Sequence, residues 1–356
     1  MRLTKAVVLA QPPSFASGAA TRGRTRLPPA SLLSVANRAL LSHALGWLAE
    51  AGLREAAVVI PEELAAQARR AAADSSGTVS LSWLEQHPDE PLAQTFDDLT
   101  GFLDGEPFVV HLADSLARRS LQAVIADAAQ GNAEALLLVD EATQAGRAQV
   151  VRLYATAGSG PVTRRRLRHG SAGVAVLAAR ALEGVGGLDA PAEHVLEALA
   201  DRIERRGGHV RTCCTGEWWR FRGGSDALLE GNRFALERVR ADYGRAQLAD
   251  TTIQGAVIAH PEACIESSTV RGPAIIGARA RLRDAYLGPY TSVGEDATIE
   301  GAEVENSMIL PGATITHLNG RLEASIVGVN ARVFNDFRLP RALRLDIGEG
   351  AEVGLS

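Results

Sequence analysis

Lysine is almost missing from this chain. Of 37 cationic residues, Lys5 is the only lysine and the other 36 are arginine. Any chemistry that needs a side-chain amine therefore rests on one position. GC-rich coding produces the same bias, so it bears on function only where a lysine is required. Cysteine is scarce too. Cys213, Cys214 and Cys264 are an odd set, two of them adjacent, with no CxxC spacing. That excludes a disulfide framework and a zinc site of the usual spacing, and it suits a reducing cytoplasm. No run approaches the ~20 apolar residues of a membrane span, and the apolar run in MRLTKAVVLAQ is too short for a signal peptide. A cytoplasmic protein with no membrane partner is expected. A net charge of -5 argues against general nucleic-acid binding. Acidic residues are absent from Met1 to Ala49, where Arg2, Lys5, Arg22, Arg24, Arg26 and Arg38 make an anion-friendly segment.

What is present suits two domains: 356 residues, 46% hydrophobic. Lys5 to Ala10 (KAVVLA) reads as a buried strand, followed by a Pro/Gly/Ser/Arg loop to Ser31. Leu32 to Ala51 has helical spacing, Ala56 to Ile60 is a strand, and Pro61 to Ala73 a helix. Continuous apolar strands alternating with helices predict a parallel α/β sheet covered on both faces. Further strands are expected at Thr78 to Trp83, Pro107 to Leu112, Ala135 to Val139, Val150 to Tyr154 and Gly173 to Leu177. A helix ending near Arg206, a strand region at Thr212 to Arg222 and a long helix at Ser225 to Tyr243 complete this part.

After about Asp250 the pattern changes. Aliphatic residues recur at Ile253, Ile258, Ile265, Val270, Ile276, Leu282, Leu287, Val293, Ile299, Val304, Ile309, Ile315, Leu322, Val327 and Val333. Every step is five to seven residues, where a helix would give threes and fours. An interval near six marks a hexapeptide left-handed parallel β-helix. Such a solenoid needs capping, which the α/β domain and the stretch Asp336 to Ser356 are placed to supply. The expected division is an α/β domain over residues 1–240 and a β-helix over 250–356.

Local motifs narrow this order. CTGEWWRFRGGSDALLEGNRFALE, from Cys214 to Glu237, resembles the WWxDTGxxxDLLxAN element of sugar-1-phosphate nucleotidyltransferases. SLLSVANRALLSHALGWLAEAGLREAAVVI, from Ser31, resembles their KPLLPVANKP segment with the helix and strand after it. EPFVVHLADSL, from Glu106 to Leu116, resembles their strand ending in LGDN. RGPAIIG, YLGPYTSVGEDATI and ENSMIL resemble the β-helix of the long form of glucose-1-phosphate thymidylyltransferase. The resemblance implies a Rossmann-like nucleotidyltransferase domain followed by the β-helix. It implies attack by a sugar-1-phosphate oxygen on the α-phosphorus of a nucleoside triphosphate, giving a nucleotide sugar and pyrophosphate. Charge building on phosphoryl oxygens calls for a glycine-rich loop, fixed cations and a carboxylate-held metal. The family supplies a G-G-x-G-T-R-L loop, two lysines and two metal-binding aspartates.

Several of these features are altered here. After Leu9 and Ala10, which the resemblance makes nucleotide-binding, the two glycines become Gln11 and Pro12, and proline has no N–H to give a phosphate. The TRL triplet recurs at Thr25-Arg26-Leu27, making Arg26 the candidate for the family's catalytic arginine, or else a surface charge. The first lysine falls on Ala30 and the second near Pro161 or Val162, within GPVTRRRLRHG. Asp114 keeps the first aspartate, as a metal ligand or as a remnant. The second falls on Phe221, which cannot ligate Mg²⁺. The implied Mg²⁺ thus rests on Asp114 alone.

Arg22, Arg24, Arg220 and Arg222 are phosphate-binding candidates or surface charge. Gln86, Leu92 and Ala93 match the family's base-recognition element, with Pro91 in place of its glycine. Arg164, Arg165, Arg166 and Arg168 fill the sugar-binding stretch, either as a solvated loop or as an anion contact. His111, three residues before Asp114, faces away from it, and Trp218 and Trp219 are expected to pack the domain. Three functions stay open. One is a ligand-binding or scaffolding relative, or one with altered chemistry, that has lost the standard reaction. Another is an active enzyme with an arginine-rich site. The third is a structural subunit paired with a competent homologue. Expected partners are a nucleotide or sugar phosphate and a second copy or homologue.

Overall fold

The computed structural model describes residues 3–10, 30–73, 77, 79–87, 92–118, 120–129, 133–141, 169–183, 194–214 and 218–335. The strand expected at Val150 to Tyr154 lies outside them. The chain divides into two compact units. The first holds the described residues up to Phe221 except Ser34–Asn37; the second holds Ser34–Asn37 and the described residues from Arg222 onward.

The strands, in chain order as far as the end of the first unit, are β1 (Lys5–Leu9), β2 (Ser34–Val35), β3 (Arg38–Ala39), β4 (Glu55–Pro61), β5 (Ser80–Gln86), β6 (Phe108–His111), β7 (Ser115–Ala117), β8 (Ala135–Glu141), β9 (His169–Leu177), β10 (Val210–Cys214) and β11 (Trp218–Arg220). The helices are α1 (Leu40–Glu50), α2 (Ala65–Ala72), α3 (Leu92–Asp98), α4 (Thr100–Leu103), α5 (Leu121–Ala129), α6 (Val195–Arg205) and α7 (Ser225–Leu236). Seven strands of the first unit form one sheet in the order β10-β8-β9-β6-β1-β4-β5. Alternation along the central strand sends Ala6 and Val8 into one core, with Leu41, Leu45 and Leu48 of α1. Val7 and Leu9 enter the other, with Phe96 of α3 and Leu199 of α6. Both faces are therefore covered, as the apolar strands require.

Three expectations are corrected. The sheet is mixed: β9 runs antiparallel to both β6 and β8. Periodicity reports burial on two faces and is blind to strand direction. The helix expected from Leu32 begins at Leu40, because Ala36 (φ 47°) and Asn37 (φ 60°) are left-handed. Within the second unit, the Ala36 N–H donates to Asn232 Oδ1, Asn37 Nδ2 donates to the Val293 carbonyl, and Asn232 Nδ2 donates to the Tyr290 carbonyl. The helix expected to reach Tyr243 ends at Leu236. Beyond it, Asp242 already pairs with the solenoid: its N–H donates to Val257 and its carbonyl accepts from Ala259.

The second unit is a left-handed β-helix with three parallel sheets of six, five and five short strands. The fifteen aliphatic positions fall one to a strand, from Thr252–Gln254 to Arg332–Phe334. Stacked registers such as Ile265–Leu282–Ile299–Ile315 form the interior. Ile258 departs from the expected spacing. It is half-buried, and Ala259 occupies the register of Ile276 and Val293. Left-handed corners fall at polar residues including Asp250, Asp284, Asp296, Asn306 and Asn330, side chains that tolerate that region. Outside, Arg279 bridges Asp296, Glu295 and Glu262 of neighbouring coils. No helix among the described residues is long and apolar enough to cross a membrane.

Ile299 is fully buried in this stack, so Ile299→Ala should destabilise the β-helix by about 2–4 kcal/mol through lost contact and cavity. Arg279→Ala, in an exposed ion-pair cluster, should leave the urea midpoint nearly unchanged. Urea unfolding followed by circular dichroism tests both.

Candidate functional site

The sheet order has a switch point. The chain runs β1, β4, β5 to one side, then returns to β6 on the other side of β1. Ligands of open α/β sheets bind outside the carboxyl ends of strands at such a point. Val8 of β1 is in register with His111 of β6, so Ala10 and Asp114 follow adjacent strand ends. Gln86 closes β5 at the same edge.

Lys5 lies at the other edge, paired with Phe108 at the start of β6. Its Nζ donates to the carbonyls of Phe102 (2.8 Å) and Leu103 (3.3 Å) at the end of α4, with Glu106 at 4.0 Å. A cation on helix-end carbonyls is a structural arrangement. The one lysine is thus engaged away from the edge where phosphates are expected.

At the carboxyl edge several polar groups are internally satisfied. The Ala10 N–H donates to the Val59 carbonyl, and Ser31 Oγ donates to the Ala10 carbonyl. Ala30, where the resemblance puts a lysine, is buried. Gln86 is buried, and its Nε2 donates to Thr95 Oγ1 of α3 (3.0 Å). Leu92 opens α3 and Ala93 follows it. Leu9 is buried in the core. Arg222 is exposed. Arg22, Arg24, Arg26, Pro161, Val162, Arg164, Arg165, Arg166 and Arg168 lie outside the described residues.

Asp114 is where the structure adds most. The antiparallel pairing of β7 with β11 sets Arg220 opposite Ser115, and the Phe221 N–H donates to the Asp114 carbonyl. Arg220 Nε then meets Asp114 Oδ2 at 2.8 Å, with the two side chains only 9% and 14% exposed. Arg220 Nη1 also donates to the Ser171 carbonyl at 3.4 Å. Gly173 (φ 79°) leaves the space: a Cβ there would lie 3.1 Å from Asp114 Oδ1 and 3.4 Å from Arg220 Nε. Glu197, in the first turn of α6, feels the charges of Arg220, His194 and Asp114, and burial pushes its carboxyl up. The sequence does not single out Glu197, Ser171 or Gly173. Glu197 reads there as one more polar residue of an amphipathic helix, Gly173 as the start of a strand, and Ser171 lies before that strand.

His111 serves the frame. Its ring packs edge-on against Trp47 (5.7 Å) and beside buried Trp218 (6.2 Å). Its Nδ1 accepts the N–H of left-handed Ala113, shaping the turn that presents Asp114. Burial, then the charge of Arg220, lowers its pKa to about 3, so the ring is neutral, with its proton on Nε2.

The family's metal does not fit these residues. Mg²⁺ demands oxygen ligands in near-ideal octahedral geometry. Here the surviving carboxylate holds a guanidinium and the second position is Phe221. Among the described residues no group of three or more His, Cys, Asp or Glu could hold a metal ion.

Two measurements test this frame. An imidazole neutral in the fold but protonated near 6.5 when unfolded stabilises fully above pH 6.5 and progressively less as pH falls toward 3. About 2–3 kcal/mol should be lost between pH 7 and 4.5, and His111→Asn should remove that part of the slope in urea titrations. Arg220→Met should cost about 3–5 kcal/mol by stranding Asp114, and adding Asp114→Asn should recover much of it, as a double-mutant cycle of unfolding midpoints would show.

No protein-family model matches the chain. Its sequence is 26% identical to a glucose-1-phosphate thymidylyltransferase of Streptomyces antibioticus, over 98% of this chain and 99% of that protein. It is 25% identical to the Streptomyces griseus counterpart, over 96% and 98%. It is 27% identical to the low-salt glycan biosynthesis nucleotidyltransferase Agl11 of Haloferax volcanii, over 96% and 98%. Among solved structures, a Bacillus anthracis protein designated a glucose-1-phosphate thymidylyltransferase, crystallised with sucrose, shares the fold. Its TM-score is 0.50 at 14% identity, over 65% of this chain and 94% of that one. Matches of this extent, joined to the α/β sheet and β-helix in that order, make the chain similar over nearly its whole length to sugar-1-phosphate nucleotidyltransferases.

Proposed function

We propose that this chain belongs to the sugar-1-phosphate nucleotidyltransferase family, binds a nucleotide or sugar phosphate at the carboxyl edge of its sheet and no longer performs the family's metal-dependent transfer. The observation that carries this reading is Lys5. The family's reaction uses two lysines, and the only one here caps a helix at the amino edge of the sheet. A cation held there lies about a strand length, roughly 15 Å, from the other edge and cannot make the direct contact with phosphoryl oxygens that the transfer needs. Phe221 in place of the second aspartate supports the same reading. Arginine elsewhere supplies charge but not the compact ammonium of lysine.

One observation favours a second reading, an active nucleotidyltransferase with an arginine-rich site. The similarity to nucleotidyltransferases runs through nearly the whole chain rather than through the β-helix alone. Full-length similarity is what retained chemistry would leave, although fold by itself does not fix function.

Pyrophosphate release decides between them. The pure protein is incubated with each nucleoside triphosphate, glucose-1-phosphate and Mg²⁺. We expect no turnover above background, together with a thermal shift by at least one nucleotide or sugar phosphate. Turnover on the order of 1 s⁻¹ or more would establish the second reading. Neither turnover nor a thermal shift would leave a scaffold.

A further inference from the structure

We infer that the Arg220 guanidinium occupies in this chain the role of a divalent cation at Asp114, as a tethered positive charge that closes the carboxylate to metal. The inference uses the family's metal position, described above, but does not depend on whether the chain turns over.

Three observations carry it. The first is the partner set. Arg220 meets a carboxylate oxygen of Asp114 and the carbonyl oxygen of Ser171, with both charged side chains nearly buried. Oxygen donors around one positive centre are what a hard cation would seek. The guanidinium satisfies them through directed N–H bonds and cannot lose its charge.

The second is that backbone pairing, not side-chain freedom, delivers the arginine. The antiparallel register of β7 with β11 sets Arg220 across from Ser115, and the Phe221 N–H bonds to the carbonyl of Asp114 itself. A slip of one residue would turn Arg220 to the opposite face of the ribbon. The aromatic packing of Trp218 on Trp47 of α1 works against such a slip.

The third is the local shape and charge. Gly173 is the one residue type whose missing side chain leaves room for the pair, with Asp114 Oδ1, Arg220 Nε and Ser115 Oγ all within 3.4 Å of where a Cβ would stand. Glu197 adds a second carboxyl within electrostatic reach of Arg220. A dication entering here would have to expel a buried guanidinium from its acceptors or sit beside a fixed like charge. In a medium less polar than water that repulsion is strong. Mg²⁺ also surrenders its water reluctantly.

Mn²⁺ alone is the probe, titrated into the full-length protein and followed by the paramagnetic resonance of the free ion. Wild type and Phe221→Asp should show no saturable binding, since Arg220 remains in place in both. Arg220→Ser combined with Phe221→Asp should gain one saturable site per chain, and Asp114→Asn in that background should abolish it. Wild-type binding that Asp114→Asn removes would overturn the inference. So would a folded double variant without binding, or a Phe221→Asp single variant that binds as well as the double. Should the double variant fail to fold, the wild-type protein still gives an answer. The Arg220 Nε–H resonance, displaced by its carboxylate partner, should stay unmoved through a Mg²⁺ titration, and a saturating shift would overturn the inference. Turnover in the pyrophosphate assay without metal on Asp114 would refute the functional reading and leave this inference standing.

Discussion

A carboxylate withdrawn from water needs a counter-charge, and at the carboxyl edge of this sheet that requirement organises what surrounds it. Asp114 follows the end of β6, next to the end of the central strand β1, where the strand order reverses. Its partner arrives from more than a hundred residues away in sequence, on β11. The turn before Asp114 is held by a neutral, buried His111, and the position facing the pair is a glycine. Each feature alone is an ordinary packing detail. Together they build an electrostatic unit at the strand-order switch point, where open α/β sheets bind ligands.

Arginine and lysine diverge in this setting. The guanidinium is planar, permanently charged and weakly hydrated, so it tolerates burial against a carboxylate. The ammonium is compact and strongly hydrated, and Lys5 keeps its acceptors close at the end of α4. Replacing surface lysines by arginine changes little. At a position that meets phosphate bidentately the exchange is not neutral.

The β-helix obeys a simpler constraint. Each coil buries about one aliphatic side chain per face and turns at left-handed polar corners, so spacing alone reports the architecture. Ile258 is the informative exception. The first coil is still being entered from Asp242, and the buried register there falls on Ala259. In the α/β unit, the strands after β1 are legible for a related reason, since strands buried on both faces are continuously apolar. The direction of β9 was not legible, because apolar pattern is the same for parallel and antiparallel strands. The start of α1 was hidden likewise. Ala36 and Asn37 carry the periodicity of a helix, but their backbone is turned by hydrogen bonds to Asn232 and Val293, far along the chain.

The sequence by itself carries the likeness to nucleotidyltransferases, the order of the two folds, and Lys5 as the single lysine. These depend on composition, on local spacing and on motifs that stay contiguous. Only the tertiary structure decided where those groups act. That Lys5 caps a helix and that Arg220 lies on Asp114 follow from strand register, which sums contacts over the whole sheet and leaves no local trace. The sequence shows an arginine between a tryptophan and a phenylalanine. The fold makes it the counter-ion of Asp114, because β11 pairs with β7 in that register.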